Sequence, residues 1–207
     1  MALGRPRAFD ADAMLDKVVD VFWQHGYEGS SMAALTTATG LSKPSLYAAF
    51  GGKEDLFRAA FVRYRERQDQ FTGNLLSHPV ARTGVERLLL ALVDSLTQPE
   101  MPHGCLLVHG NLVGSPDSDT IREELRQHRK ALQAAVRERL AQAQQENEID
   151  ADVNLSDLAR YITTTAQGLA VQAADGAQRK SLHRVVELAM LAWPVKPLQI
   201  AAIPLPT

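Results

Sequence analysis

The sequence has little of what secreted or membrane-spanning proteins need. One cysteine in 207 residues excludes an internal disulfide, so nothing indicates an oxidising compartment. No apolar run reaches the length of a membrane span, and the first residues lack the apolar core of a signal peptide. We therefore expect a cytoplasmic protein without a membrane partner.

A basic excess is also missing. The formal net charge is −2, and the first 60 residues carry six Lys and Arg against seven Asp and Glu. This balance excludes a protein that holds nucleic acid through a broad basic surface. If the chain binds DNA, we expect few phosphate contacts per subunit.

Catalytic motifs are missing too. The chain has no Gly-rich phosphate loop, no zinc-finger spacing and no serine hydrolase elbow, and its six histidines are scattered. We expect no enzymatic activity, no cofactor and no resident metal.

What the sequence does contain is helical periodicity, with no alternating strand pattern and no internal repeat. Apolar residues recur three and four positions apart in segment after segment, which predicts amphipathic helices. The sequence therefore predicts an all-α protein with about nine helices. We place them at about 10–25, 31–39, 42–50, 54–71, 85–96, 105–113, 121–147, 155–174 and 182–193.

The most informative segment, residues 30–50, predicts two short helices joined by a glycine turn. Ser30 or Ser31 can cap the first helix and Ser42 the second, and Gly40 suits a helix end that needs positive φ. Leu46 and Phe50, four residues apart, predict the inward side of the second helix. An ordinary solvated helical hairpin is the alternative interpretation of this segment alone.

The flanking residues favour a helix-turn-helix. Residues 9–61 resemble the DNA-binding domain of the TetR family of bacterial transcriptional regulators. The similarity is carried, in order and spacing, by Gly26-Tyr27, Ser31-Met32, Gly40-Leu41-Ser42-Lys43, Ser45-Leu46-Tyr47, Phe50 and Lys53-Glu54-Asp55-Leu56. The remainder of the chain fits the family only in length and helical content. Ala48 and Ala49 stand where family members often carry larger side chains, which leaves the operator sequence open.

The resemblance implies three segments: a helix-turn-helix domain at 1–55, a helical effector-binding and dimerisation domain at 56–193, and an apolar, proline-rich tail at 194–207. It also implies that the second short helix enters the major groove of double-stranded operator DNA. The predicted DNA-binding residues are Arg5, Arg7, Ser30, Ser31, Lys43, Pro44, Ser45, Tyr47 and Lys53.

Small and apolar residues on several faces of the last two helices predict a second packing partner. A fully buried core helix is the alternative. The resemblance implies a homodimer built on this helix pair. The interface residues we predict are Ala166, Ala170, Ala173, Val186 and Met190.

Cys105 and His109 are four residues apart, so we expect them on one helix face. An imidazole beside a thiolate can bind a soft metal or make the sulfur reactive. Some TetR-like proteins carry a similar Gly-Cys-Leu, which invites an effector-sensor hypothesis. The alternative is that Cys105 is a small core residue.

The resemblance therefore implies a dimeric repressor that a small effector releases from a near-palindromic operator. A helical ligand-binding protein or enzyme without specific DNA binding is the rival hypothesis.

Overall fold

The computed structural model describes residues 11–72 and 75–194, and within these ranges the chain is helical with connecting loops and no strand. The tail from 195 onwards, Arg5 and Arg7 lie outside the described residues. The helices are α1 (Ala11–Gly29), α2 (Met32–Thr39), α3 (Lys43–Phe50), α4 (Lys53–Thr72), α5 (Ala81–Leu96), α6 (Leu106–His109), α7 (Asp119–Gln145), α8 (Leu155–Ala174) and α9 (Arg179–Leu191). The all-α prediction, with about nine helices, is confirmed.

Two hydrophobic clusters organise the described residues. The first contains residues of α1, α2, α3 and α4, and it also includes Leu106, Ile121 and Leu125 from α6 and α7. The second fills the space between α5, α7, α8 and α9. Residue 55, the predicted domain boundary, lies in the first turn of α4, and this helix runs on towards the second cluster. The division at 55 stays a prediction.

Ion pairs join α1 to α4. Arg63 Nε lies 2.7 Å from Asp16 Oδ1, and Arg67 pairs with both Asp16 at 2.8 Å and Asp20 at 3.2 Å. The hydrogen bond from Arg63 lowers the pKa of Asp16. Asp16 and Asp20 of α1 therefore pair with two arginines of α4 inside the protein.

The predicted helix at 105–113 is wrong in extent. Only Leu106–His109 is helical, with Cys105 as its N-cap and Gly110 as its C-cap. The run is apolar because neighbouring residues point into different cores: Leu106 lies in the first cluster and Val108 in the second. Among the described residues, no helix is long and apolar enough to cross a membrane.

Candidate functional site

The turn between α2 and α3 is built from local hydrogen bonds. The Ser31 hydroxyl caps α2 by accepting from the Ala34 amide at 3.0 Å, and the Ser42 hydroxyl caps α3 by accepting from the Ser45 amide at 3.2 Å. Between them Gly40 has φ 72°, the left-handed conformation that lets the chain leave α2. These contacts fix the angle at which α3 leaves the turn.

One side of α3 is free. Leu46 is 1% exposed and Phe50 packs against the first cluster, so the helix is anchored by these two side chains. The opposite side, which we call the recognition face, is exposed and consists of Ser42, Lys43, Pro44, Ser45, Tyr47, Ala48 and Ala49. The Lys43 ammonium lies 5.5 Å from the centroid of the Tyr47 ring, a cation–π contact that orients both side chains.

Ser30 does not belong to an exposed surface, contrary to prediction. Its side chain is 0% exposed, and its hydroxyl donates to the Gly26 carbonyl at 2.6 Å. This bond satisfies a carbonyl at the end of α1. Ser31 is exposed and keeps its place among the candidates.

Lys53 opens α4 and is half-buried. Its ammonium lies 4.5 Å from the centroid of the Tyr27 ring, and burial lowers its pKa. Of the predicted cations, Lys43 is therefore exposed on the recognition face, whereas Lys53 is held against α1.

The end of α1 is bound to both ends of α6. The Trp23 indole donates to the Gly104 carbonyl at 2.9 Å, and the Tyr27 amide donates to the Gly110 carbonyl at 2.7 Å. The helical path of α1 breaks at Gly26, with φ 67° and ψ −179°. A Cβ atom there would lie 3.1 Å from the Gly110 carbonyl oxygen. The end of α1 is therefore in direct contact with the residues at both ends of α6.

A cavity of about 320 Å³ lies on the other side of α6. Its wall is formed by α4, α5, α6, α7 and α8 and is mostly apolar. The polar or titratable lining residues are Tyr64, Arg65, Gln68, Asp69, Cys105, His128 and Thr163. Since Cys105 and Leu107 both line this space, α6 separates the cavity from α1.

The structure does not bring the Cys105 thiol and the His109 imidazole together as predicted. His109 Nδ1 accepts a hydrogen bond from the Cys105 amide at 3.3 Å, while the Cys105 sulfur accepts from the Tyr64 hydroxyl at 3.2 Å. Burial raises the pKa of Cys105 and outweighs the Tyr64 hydrogen bond and the backbone amides of Val108 and Leu107, which lower it. Burial also lowers the pKa of His109. The hydrogen-bond partner of the sulfur is therefore the Tyr64 hydroxyl, whereas the His109 ring is bonded to the Cys105 backbone.

Four of the five residues predicted for a dimer interface are buried within the protein's own core. Ala170, Ala173, Val186 and Met190 are at most 5% exposed because they pack in the protein's own second cluster, and Ala166 lines the cavity. Both helices also carry a second apolar stripe. This α8–α9 face consists of the exposed Tyr161, Gly168, Val171, Val185, Leu188 and Leu191.

Sequence reasoning also missed two contacts between distant segments. Glu28 Oε1 accepts from both the amide and the hydroxyl of Ser115 at 2.8 Å, and Arg58 pairs with Glu124 on α7 at 2.8 Å. No local pattern marks either pair, because the partners lie far apart in the sequence. Among the described residues, no group of three His, Cys, Asp or Glu side chains is placed to hold a metal ion.

Comparison with known proteins places these features in a family. Residues 15–60 match the model of bacterial regulatory proteins of the tetR family, and residues 81–189 match the tetracyclin repressor-like C-terminal domain. The HTH-type transcriptional repressor ComR of Escherichia coli is 33% identical over 193 residues, covering 92% of each chain. The repressor AcnR of Corynebacterium efficiens is 28% identical over 167 residues, which are 81% of this chain and 83% of AcnR.

A solved structure is similar over nearly the whole chain. A cysteine mutant of the TetR family transcriptional regulator CifR, complexed with a 26-bp double-strand operator DNA, has a TM-score of 0.87 and 43% identity. The match covers 92% of this chain and 100% of the CifR chain. With both family models matched and these relatives aligned, the chain belongs to the TetR family of bacterial transcriptional regulators.

Proposed function

We propose that this protein represses transcription as a homodimer on a near-palindromic operator in the cytoplasm, and leaves the DNA when a small molecule occupies the cavity. The observation that carries the proposal is the exposed, serine-capped start of α3. ComR and AcnR are named as repressors, and the CifR mutant was solved on operator DNA.

DNA recognition rests on the recognition face of α3. A helix N-terminus with small side chains can approach a base-pair edge closely, and a protruding tyrosine can contact a base or a phosphate. Ser31 and Lys53 lie at the starts of α2 and α4, where the backbone amides also favour phosphate. The proposed contact set is Ser31, Lys43, Pro44, Ser45, Tyr47 and Lys53, with Arg5 and Arg7 retained from the sequence.

The α8–α9 face is the proposed dimer contact. Leu188 is 66% and Leu191 78% exposed, and a contiguous apolar surface of this kind favours a partner. Tyr161 closes the groove between the helices, since its hydroxyl donates to the Ala189 carbonyl at 3.1 Å. A two-fold axis through this face gives two copies of α3, one for each half of a palindrome.

The cavity is the proposed effector site, and Cys105 is one of its walls. The thiol is neutral and hydrogen-bonded to Tyr64, so its proposed role is to shape the cavity rather than to react as a thiolate. His109 acts at the Cys105 backbone. A molecule that displaces Cys105 or Leu107 strains the bonds that join α6 to Trp23 and Tyr27, and this strain shifts the population away from the DNA-binding arrangement.

The test is binding to DNA from the region upstream of the protein's own gene, measured by fluorescence anisotropy against a scrambled duplex of equal length. We expect specific binding that weakens as salt rises. Equal affinity for both duplexes would favour the rival hypothesis, a helical ligand-binding protein or enzyme that does not read DNA.

A further inference from the structure

Among the residues that line the cavity, Arg65 and Asp69 are the charged ones. Arg65 and Asp69 are exposed and carry opposite charges. Burial raises the pKa of Tyr64 and of Cys105 and lowers that of His128, so all three are neutral at pH 7. A charged ligand would lose its hydration in this mostly apolar space, and the exposed Arg65 and Asp69 together favour neither sign of charge.

Two of the polar lining side chains already have strong partners. The Gln68 Oε1 accepts from the Ser95 hydroxyl at 2.8 Å, and the Thr163 hydroxyl donates to the Ala159 carbonyl at 2.9 Å. The Gln68 oxygen and the Thr163 hydroxyl are therefore already engaged within the protein.

Tyr64 is different. It is 2% exposed, and its hydroxyl donates to the Cys105 sulfur at 3.2 Å. Sulfur is a weak acceptor. An oxygen atom entering the cavity would replace an O–H···S bond by a stronger O–H···O bond.

The size of the cavity limits the ligand. A volume of about 320 Å³ is near the lower end of the range of about 300–1,000 Å³ for small-molecule sites. We propose that the cavity binds a small uncharged molecule that is apolar apart from one oxygen, and that this oxygen accepts a hydrogen bond from Tyr64. This inference rests on the proposed function, in which the cavity is the effector site.

Tyr64 also connects the ligand to α1. Its ring lies edge-on to Trp23, with centroids 4.9 Å apart, and the Trp23 indole holds the Gly104 carbonyl. A ligand oxygen that takes the Tyr64 hydroxyl from Cys105 therefore acts at the point where α1, α4 and α6 meet.

The test uses isothermal titration calorimetry on the full-length protein with two uncharged ketones, acetophenone and 2-octanone. Ethylbenzene is the analogue of acetophenone without an oxygen. Benzoate and octanoate are the charged analogues of acetophenone and 2-octanone. We expect at least one ketone to bind and its carboxylate analogue to bind at least tenfold more weakly. Failure of both ketones to bind, or equal binding of ketone and carboxylate, would overturn the proposal.

The Tyr64→Phe variant isolates the hydrogen bond, because it removes the hydroxyl and keeps the ring. We expect it to weaken ketone binding about three- to tenfold, the range for one hydrogen bond, and to leave ethylbenzene binding unchanged. If ethylbenzene does not bind the wild type, ketone affinity alone is compared. Equal ketone affinity in Tyr64→Phe and the wild type would then overturn the proposed hydrogen bond. Melting curves followed by circular dichroism confirm that the variant is folded.

Operator binding by the wild type separates the two proposals. Specific DNA binding without ketone binding overturns the ligand class and leaves the DNA-binding proposal standing. Ketone binding without release of DNA supports the ligand class and overturns the effector role of the cavity.

Discussion

The side chains of α3 are of two kinds: some pack inward and anchor the helix, and others are exposed on the face that we propose contacts DNA. Leu46 and Phe50 hold the helix in place, while Tyr47 is 39% exposed and is oriented by Lys43. Ala48 and Ala49 are exposed as well but offer only methyl groups. Because the face carries few long side chains, we expect each of them to contribute strongly to operator affinity.

Tyr47→Ala should therefore reduce operator affinity by about 1–3 kcal/mol, the range for one specific contact, without lowering thermal stability. Fluorescence anisotropy with the operator gives the affinity, and a melting curve gives the stability. Val80→Ala, which trims an exposed side chain at the start of α5, is the control. Unchanged operator affinity for Tyr47→Ala would show that this side of α3 does not face DNA.

A second prediction for a single side chain concerns the contribution of Glu28 to stability. Hydrogen bonds, chiefly from the Ser118 and Ser115 side chains, lower its pKa from 4.5 to about 2. A lowered pKa in the folded state means that the contribution to stability is present above pH 4.5 and is lost as the pH falls towards 2. Glu28→Gln should be less stable than wild type at pH 7, and the two should converge in acid.

Urea unfolding between pH 2 and pH 7 measures this difference. Glu138→Gln, exposed on α7, is the control and should show no comparable change. A difference between Glu28→Gln and wild type that is the same at every pH would contradict the assignment.

At the scale of helices, the contact between α1 and α6 is the most constrained. Gly26 has a backbone conformation open almost only to glycine, and carbonyl groups of α6 occupy the space where a side chain would go. The short α6 is held at both ends by hydrogen bonds, although its four residues could not form a stable helix alone.

Gly26→Ala should destabilise the protein by about 1–3 kcal/mol, because it combines backbone strain with a close approach to Gly110. Gly29→Ala is the matched control, since its Cβ would meet only the His25 Cβ at 3.5 Å. Chemical denaturation measures both. A Gly26→Ala protein as stable as Gly29→Ala would mean that α1 can shift away from α6 at little cost.

The sequence could predict those features that depend on interactions between residues close together in the chain. The limits of α2 and α3 are set by serine caps and Gly40, all within a few residues, and were predicted. The extent of α6 was not, because its apolar run serves two cores. Ser30 and Ser31 are equally good caps in the sequence, and only packing shows that Ser30 is buried.

The same reasoning applies to the last two helices. Periodicity shows that α8 and α9 are apolar on more than one face, but it does not say which stripe faces the protein's own core. Ala170 and Val186 were assigned to the outer stripe and lie on the inner one. The roles of Tyr64 and Glu28 depend on partners more than 40 residues away, which no local pattern reveals.

For the whole molecule, assembly is the property that decides whether two recognition helices can act together. The α8–α9 face exposes large apolar side chains that a folded monomer would leave in water. Burial of such a face in a second copy is favourable by about 25 cal/mol per Å² of apolar area, before the cost of association.

Leu188→Glu should convert a dimer into a monomer at micromolar concentration, because it places a charge within this face. Light scattering coupled to size-exclusion chromatography measures the mass. Val62→Glu, at a residue of α4 that is 58% exposed, is the matched control and should stay dimeric. A wild type that is monomeric at this concentration would refute the proposed interface.

The sharing of the first hydrophobic cluster by α1, α4, α6 and α7 limits how this protein can be recombined. A hybrid regulator made by joining residues 1–72 to the sensing half of another protein would lose Leu106, Ile121 and Leu125, and would leave part of its core open to water. The unit that can be exchanged is smaller: the exposed side chains of α3, with Ser42 kept because its hydroxyl caps this helix. New operator specificity is therefore best sought by replacing a few residues of α3, with the rest of the chain kept whole.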